Sequence, residues 1–411
     1  MSEFSSLDLL PEIKKALKDK GYEKPTPIQA QSIPHLLEGK DLLGIAQTGT
    51  GKTAAFSLPL IDRLAKNKVK VNKRRVRSLI LTPTRELASQ IEQNIKGYSK
   101  GLGLKCAVIF GGVGKQAQMN SMAQGVDILV ATPGRLLDLM SEGHVKYDQL
   151  EVFVLDEADR MLDMGFLNDV KKVISKLPRD KQTLLFSATM PKDIASLANS
   201  LLNNPKRVEV TPESTTVEKI EQKAHFVAKL KKPDLLKEIL KDDSIESMLV
   251  FTRTKHGADR VVKKLAQDDI MAAAIHGNKS QRQRESALGR FKDQKIRVLV
   301  ATDIAARGID IPQVSHVINY NPPEDPKSYV HRIGRTGRAG RDGVAILFCD
   351  ESEVGLFNDI QKHIKIKIPI DEKQPFHEKL SLHPDRKKKD QKPKKKVSMS
   401  KKARRRRSFR G

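Results

Sequence analysis

At 411 residues the chain is long enough for two or three domains, each able to bury its own core. A formal net charge of +26 calls for a polyanionic partner, either nucleic acid or an anionic membrane surface. Two cysteines, Cys106 and Cys349, with no paired spacing, exclude a disulfide framework or zinc knuckle and fit a reducing compartment. The polar N-terminus has no apolar core of signal-peptide length, and no apolar stretch reaches the roughly 18 residues of a membrane span, so a cytoplasmic protein is expected.

From the start to Val208, short apolar runs alternate with longer amphipathic stretches. Leu42–Ile45, Leu79–Thr82, Ile128–Ala131, Val152–Leu155 and Thr183–Phe186 lack polar alternation, as strands buried on both faces of a parallel sheet do. Glu86–Ser99 and Asn168–Lys176 are long enough to be crossover helices. The segment 209–219 (EVTPESTTVE and the lysine after it) is polar and aperiodic, a linker. The rhythm restarts at 220 with strand candidates Met248–Phe251, Met271–Ile275, Ile296–Ala301, His316–Asn319 and Ala345–Phe348. It stops after Ile370. Two α/β domains, 1–208 and 220–370, are therefore expected, followed by a basic tail over 371–411. From Arg386 to Gly411 the tail carries 15 basic residues and one acid, a composition that stays disordered when alone.

In open parallel sheets, ligands bind beyond the carboxyl ends of the strands. After Leu42–Ile45 comes Ala46-Gln47-Thr48-Gly49-Thr50-Gly51-Lys52-Thr53, which resembles a P-loop except that Ala46 replaces the first glycine. The residues Thr48, Gly49, Thr50, Gly51, Lys52 and Thr53 would cradle a triphosphate at a helix N-terminus, Lys52 on the β/γ-phosphates and Thr53 on Mg²⁺. The bland alternative is a glycine turn before a helix. Directly after Val152–Leu155 stands Asp156-Glu157-Ala158-Asp159. Here Asp156 suits Mg²⁺ held mostly through water, and Glu157 suits polarising the attacking water. In the second half, His331-Arg332-Ile333-Gly334-Arg335-Thr336-Gly337-Arg338 has no glycine-lysine loop to serve. Arg335 and Arg338 make sense as arginine fingers reaching a nucleotide held by the first half, or else as a basic loop on RNA phosphate.

With these motifs in this order, the chain resembles the DEAD-box family of RNA helicases, from Phe4 to about Ile370. The resemblance implies two RecA-like P-loop lobes, use of ATP with Mg²⁺, and RNA-stimulated hydrolysis coupled to local unwinding or remodelling of RNA duplexes and RNA–protein complexes. Gly21–Gln29 is similar to the family's Q motif, so Gln29 would read adenine, with Phe4 and Tyr22 packing near the base. Ser187, Ala188 and Thr189 would couple hydrolysis to strand separation. Asp303 would contact the ribose; Arg307, Gly308 and Asp310 would help build the closed site, and His331 would link the lobes. RNA contacts carry over to Pro83, Thr84, Arg85, Glu86, Gly111, Gly112, Thr132, Pro133, Gly134 and Arg135 in the first lobe. In the second they carry over to Thr252, Arg253, His276, Gly277, Gln281, Arg284 and Thr302. Such loops grip phosphate and 2′-OH without reading sequence.

The run Val250–Gly257 and the shortness of the chain point to the bacterial RhlE-like branch. Ribosomal precursors and RNA-decay assemblies fit as substrates, and the tail reads as an electrostatic RNA tether. An ATP-gated RNA clamp and a DNA translocase on the same two-lobe architecture remain alternatives at this point.

Overall fold

The structure is a computed structural model that describes residues 3–47, 49–210, 220–306, 311, 314–337 and 343–380. Thr48, Arg307, Gly308, Asp310 and Arg338, together with 211–219 and the residues from 381, lie outside the described residues.

The first lobe is a seven-stranded sheet of β1 (Leu42–Ile45), β2 (Val76–Leu81), β3 (Cys106–Ile109), β4 (Val126–Ala131), β5 (Val152–Leu155), β6 (Gln182–Ser187) and β7 (Lys206–Glu209). Its order is β3-β4-β2-β5-β6-β1-β7, every pairing parallel. The inner strands β1, β2, β4, β5 and β6 are buried along their whole length, which is why they read as unbroken apolar runs. Helices cover both faces. One layer, with Ile13, Leu17, Ile33, Phe56, Ile91 and Ile95, packs on one side, and a second, with Leu136, Leu139, Met161, Val170 and Ile194, packs on the other.

The second lobe has six strands: β8 (Ile220–Phe226), β9 (Met248–Phe251), β10 (Ala272–Ile275), β11 (Val298–Ala301), β12 (His316–Asn319) and β13 (Gly343–Cys349). The order is β10-β11-β9-β12-β13-β8, again all parallel. The expected fold class of two parallel-sheet α/β lobes is therefore the observed one.

Three strands have no apolar run to announce them. β3 is only half covered, β7 is an edge strand with three exposed charged residues, and β8 carries polar residues through its length. Glu209 belongs to β7, and the Val210 amide donates to the Ile45 carbonyl at 2.9 Å, so the linker begins two residues later than expected.

The tail boundary expected at 371 also needs correction. The Ala224 amide donates to Pro369 O (2.8 Å), the Asp371 amide to Ala224 O (2.9 Å), and the Glu378 amide to Phe226 O (3.0 Å). Gln374 is buried and donates to Phe226 O at 3.0 Å, while Phe376 and Leu380 pack on the second lobe's apolar clusters. A segment with little apolar content is fixed here because it completes the hydrogen bonds of an edge strand.

Candidate functional site

Adjacent strands β5, β6 and β1 end at one rim of the first sheet, and their carboxyl ends bring three motifs together. The helix Lys52–Lys66 starts at the glycine loop, with Lys52 only 6% exposed and its ammonium donating to Ala46 O at 2.9 Å. Opposite, Asp156 is 2% exposed. Burial pushes its carboxyl up to about 7, against the pull of the Lys52 ammonium, with Glu157 adding to the rise. Its Oδ1 has no hydrogen-bond partner.

Glu157 sits at φ 56°, a left-handed conformation costly for a residue with a side chain, and begins the helix Ala158–Asp163. Its Oε2 accepts from Arg160 Nη1 at 2.8 Å. Asp159 faces the end of β6 instead. Its Oδ2 accepts from both the amide and the hydroxyl of Thr189 at 2.9 Å, and Ser187 Oγ donates to Thr189 O at 2.7 Å. The Ser187-Ala188-Thr189 turn is thus bonded to the acidic tetrapeptide through its last residue.

A cavity of about 720 Å³ opens over this rim, a size suited to a nucleotide. Phe4, Tyr22, Gln29, Gly49, Gly51, Lys52, Thr53, Asp156 and Glu157 line it, joined by Lys292 of the second lobe. Gln29 is buried with both ends of its amide engaged: Oε1 accepts from the Thr26 amide (2.9 Å), and Nε2 donates to Gly51 O (3.1 Å). It therefore ties the helix Pro27–Leu37 to the phosphate loop, leaving one amide proton and further lone pairs for a base.

A smaller cavity between the lobes is lined by Arg160 and Asp163 on one side and by Phe251, Asp303, His331, Arg332 and Arg335 on the other. Arg335 is 5% exposed and lies in this cavity rather than in the wall of the larger one. Asp303, expected at a ribose, is held by a two-pronged pair with Arg332 at 2.6 and 2.7 Å. Arg332 also donates to Asn319 Oδ1 and Asn321 O, and its guanidinium lies over the Phe251 ring at 5.1 Å.

The residues expected at RNA gather mainly in the first lobe. Thr84 and Thr132 precede the helices Arg85–Tyr98 and Pro133–Ser141, and the hydroxyl of Thr84 accepts from the Leu87 amide at 3.3 Å. Pro133, Gly134 and Arg135 form the first turn of the second of these helices, and buried Pro83 leads into the first. The guanidinium of Arg85 lies against Gly112, whose φ is +78° and where a Cβ would stand 1.9 Å from Arg85 Nη1. Burial, with the charges of Arg284 and Arg135, holds the Arg85 guanidinium below its ordinary range. Arg284 comes from the second lobe, and it pairs across the cleft with Glu86 at 2.9 Å, the two side chains 11% and 6% exposed. Arg253 pairs with Glu353 at 3.1 Å, whereas a Cβ on Gly277 would meet nothing within 4 Å. Thr302 follows β11 at the same rim, half-buried.

Sequence reasoning did not single out Arg160, Glu86 as a partner of Arg284, or Arg332. The first had a signal in its i,i+3 spacing from Glu157.

Residues 26–197 match the family described as DEAD/DEAH box helicase, and residues 231–340 match the helicase conserved C-terminal domain. The chain belongs to the DEAD-box family of ATP-dependent RNA helicases. It is similar to the ATP-dependent RNA helicase CshA of Limosilactobacillus reuteri, 42% identical over 89% of this chain and 73% of that protein. The DEAD-box ATP-dependent RNA helicase CshA of Geobacillus kaustophilus is also 42% identical, over 90% of this chain and 78% of its own length. These relatives carry the name CshA, not that of the RhlE-like branch expected from the sequence. Among solved structures, S. cerevisiae Dbp5 bound to RNA and ADP BeF3 is 33% identical with a TM-score of 0.77, covering 90% of this chain and 96% of its own. A DEAD box protein from Methanococcus jannaschii is 39% identical with a TM-score of 0.53, covering 90% of this chain and 99% of its own. The helicase uses ATP, and no helix among its described residues is long and apolar enough to cross a membrane.

Proposed function

We propose that ATP fills the 720 Å³ cavity, with its base near Phe4, Tyr22 and Gln29 and its triphosphate on the loop through Gly49, Gly51, Lys52 and Thr53. The observation that carries this reading is the meeting of that loop with Asp156 and Glu157 at one strand rim. Lys52 leaves the Ala46 carbonyl for the β/γ-phosphates. Buried Asp156, with a partnerless oxygen, and Thr53 suit a Mg²⁺ ion, which when bound would neutralise phosphate charge. Glu157 accepts a proton from the attacking water, and Arg160 keeps its carboxylate oriented. Arg335, with Arg338 after it, supplies positive charge from the second lobe as the terminal phosphate leaves.

Neither lobe carries the whole site, so ATP and RNA together draw them into apposition. The ion pair of Arg284 with Glu86 across the cleft and the likeness to Dbp5 bound to RNA and ADP BeF3 support such an apposed arrangement. RNA lies along Thr84, Arg85, Gly112 and Gly134–Arg135 in the first lobe and Gly277 and Thr302 in the second. These groups hold phosphate and sugar, so the grip is independent of sequence, and one strand is bent while its complement is lost locally. Hydrolysis relaxes the bond of Asp159 to the Ser187–Thr189 turn and reopens the seam. Structured RNA of ribosomal precursors or decay assemblies in a reducing cytoplasm suits such a machine, and the tail 381–411 adds an electrostatic hold.

Steady-state ATP hydrolysis without nucleic acid, with structured RNA, and with DNA of matched length tests the proposal. Strong stimulation by RNA alone is expected. Equal stimulation by DNA would mark a DNA translocase, and no stimulation by either would leave an ATP-gated clamp.

A further inference from the structure

The loop 67–75 leads into β2 at its amino end, the pole opposite the nucleotide cleft. Residues 66–75 hold six basic side chains and no acid. Such a run is usually a solvated turn, yet this one is fixed at several points. At its root, buried Arg77 donates to Leu64 O (3.1 Å) and Asn67 O (2.6 Å). Gln149 clamps the middle, its Nε2 donating to Lys70 O (3.2 Å) and its Oε1 accepting from the Asn72 amide (2.8 Å). The Arg74 amide donates to Met122 O, and Arg74 O accepts from the Lys146 amide at 2.8 Å, which sets Lys146 beside the loop. Arg74 holds φ +63°, and Gly125 comes so close that a Cβ there would stand 2.2 Å from Asn72 O.

Three acids at this pole already have cationic partners: Asp148 has Arg75, Glu142 has Lys115, and Glu151 has Arg77. Lys68, Lys70, Lys73, Arg74 and Lys146 make no ion pair with any described residue, and all five are exposed. Five uncompensated charges on a fixed frame favour a polyanion. A protein partner fits poorly, because stable protein interfaces are anchored by buried aromatic and large apolar groups, whereas the only large apolar side chain strongly exposed in this loop is Val69.

We infer that this loop and Lys146 form a second RNA-binding surface on the first lobe, which holds phosphates of the RNA flanking the strand in the cleft. The inference rests on the helicase reading only for the identity of the polyanion. The six residues of β2 put the two surfaces about 20 Å apart, so a single strand that just fills the cleft does not reach the loop.

The test uses the full-length protein with Lys68, Lys70 and Lys73 all changed to Gln, and a control with Lys362, Lys365 and Lys367 changed to Gln. RNA affinity is measured between 50 and 200 mM salt, on a short single strand and on the same strand carrying a hairpin extension. Each lost phosphate contact lowers the slope of log K against log salt by about 0.7 to 0.9. The loop variant should therefore lose roughly 20- to 40-fold less affinity across this range than the wild type on the extended RNA. On the short strand it should match the wild type, and RNA-saturated ATP turnover should be unchanged in both variants. An unchanged slope on extended RNA overturns the inference and leaves an acidic protein as the occupant. An equal change in the control overturns it too, because the effect is then one of net charge. Loss of stimulation even by the short strand in the wild type would strike at the RNA reading of the cleft, not at the loop.

Discussion

The pair of Glu86 and Arg284 gives the sharpest test of how the lobes cooperate. Glu86 and Arg284 were both expected at RNA, yet the two meet at 2.9 Å with exposures of only 6% and 11%. Changing Glu86 to Gln removes the negative partner and leaves Arg284 beside Arg85 and Arg135, like charges that already depress the Arg85 guanidinium. In a rigid interior this would cost about 3–5 kcal/mol. The contact is an ion pair without hydrogen-bond geometry, and lobes that can part offer the stranded charge water, so the loss falls nearer that of one charged group left without its partner, about 1.5–3 kcal/mol.

RNA binding should therefore weaken about 10- to 150-fold in the presence of a non-hydrolysable ATP analogue. Without nucleotide, when apposition contributes little, the same variant should bind RNA close to normally. The double variant Glu86→Gln with Arg284→Gln completes a cycle, and its loss should fall short of the sum of the single losses by 1 kcal/mol or more. Two results would refute the reasoning: additivity within about 0.5 kcal/mol, or the same loss with and without the analogue. Either would mean that Arg284 serves RNA directly and that its contact with Glu86 is incidental.

Glu157→Gln should keep ATP and RNA binding while lowering turnover by about 10²- to 10⁴-fold, measured as hydrolysis at saturating RNA; rapid turnover would remove Glu157 as the base. Gly112→Ala puts a Cβ 1.9 Å from Arg85 Nη1 at a φ of +78°, so Arg85 must swing away; RNA affinity should drop and stability in denaturant unfolding should fall by about 1–2 kcal/mol. Arg332→Ala strands Asp303 and Asn319 and should cost the second lobe about 3–5 kcal/mol in denaturant unfolding, with Lys a poor substitute for the planar fork. Burial lowers the pKa of His225 from 6.5 although Asp371 lies 3.4 Å away, so the unfolded chain takes up its proton first as pH falls. Stability is then lost below about pH 6.5, and His225→Phe, with the new ring on Phe348, should reduce the fall in melting temperature between pH 7 and 5.5, the remainder coming from His316, whose pKa burial also lowers.

The legible part of this fold was the part with a one-dimensional signature. Strands covered on both faces must be apolar throughout, so β1, β2, β4, β5 and β6 stood out, and the polar clusters after them marked the rim. Edge strands obey a different rule. β7 faces solvent with Lys206, Arg207 and Glu209, and the segment beyond Ile370 is fixed by backbone bonds to β8 that place little demand on side chains. Composition alone therefore handed 371–380 to the tail.

Side-chain engagement was the least legible layer, because a motif names the atoms a residue brings and not the partner that holds them. Gln29, Asp303, Arg253 and Arg284 all belong to motifs that speak of ligands, and all four are bonded within the protein. This has a consequence for the mechanism. At the seam, Arg85, Arg135 and Arg284 converge; Glu86 pairs with Arg284, and Arg135 reaches Asp138 only at 3.5 Å. Apposition of the lobes thus concentrates positive charge at the seam, and along the proposed RNA path phosphates would balance it. Closing the seam and binding RNA then favour each other by the same free energy, as linkage requires.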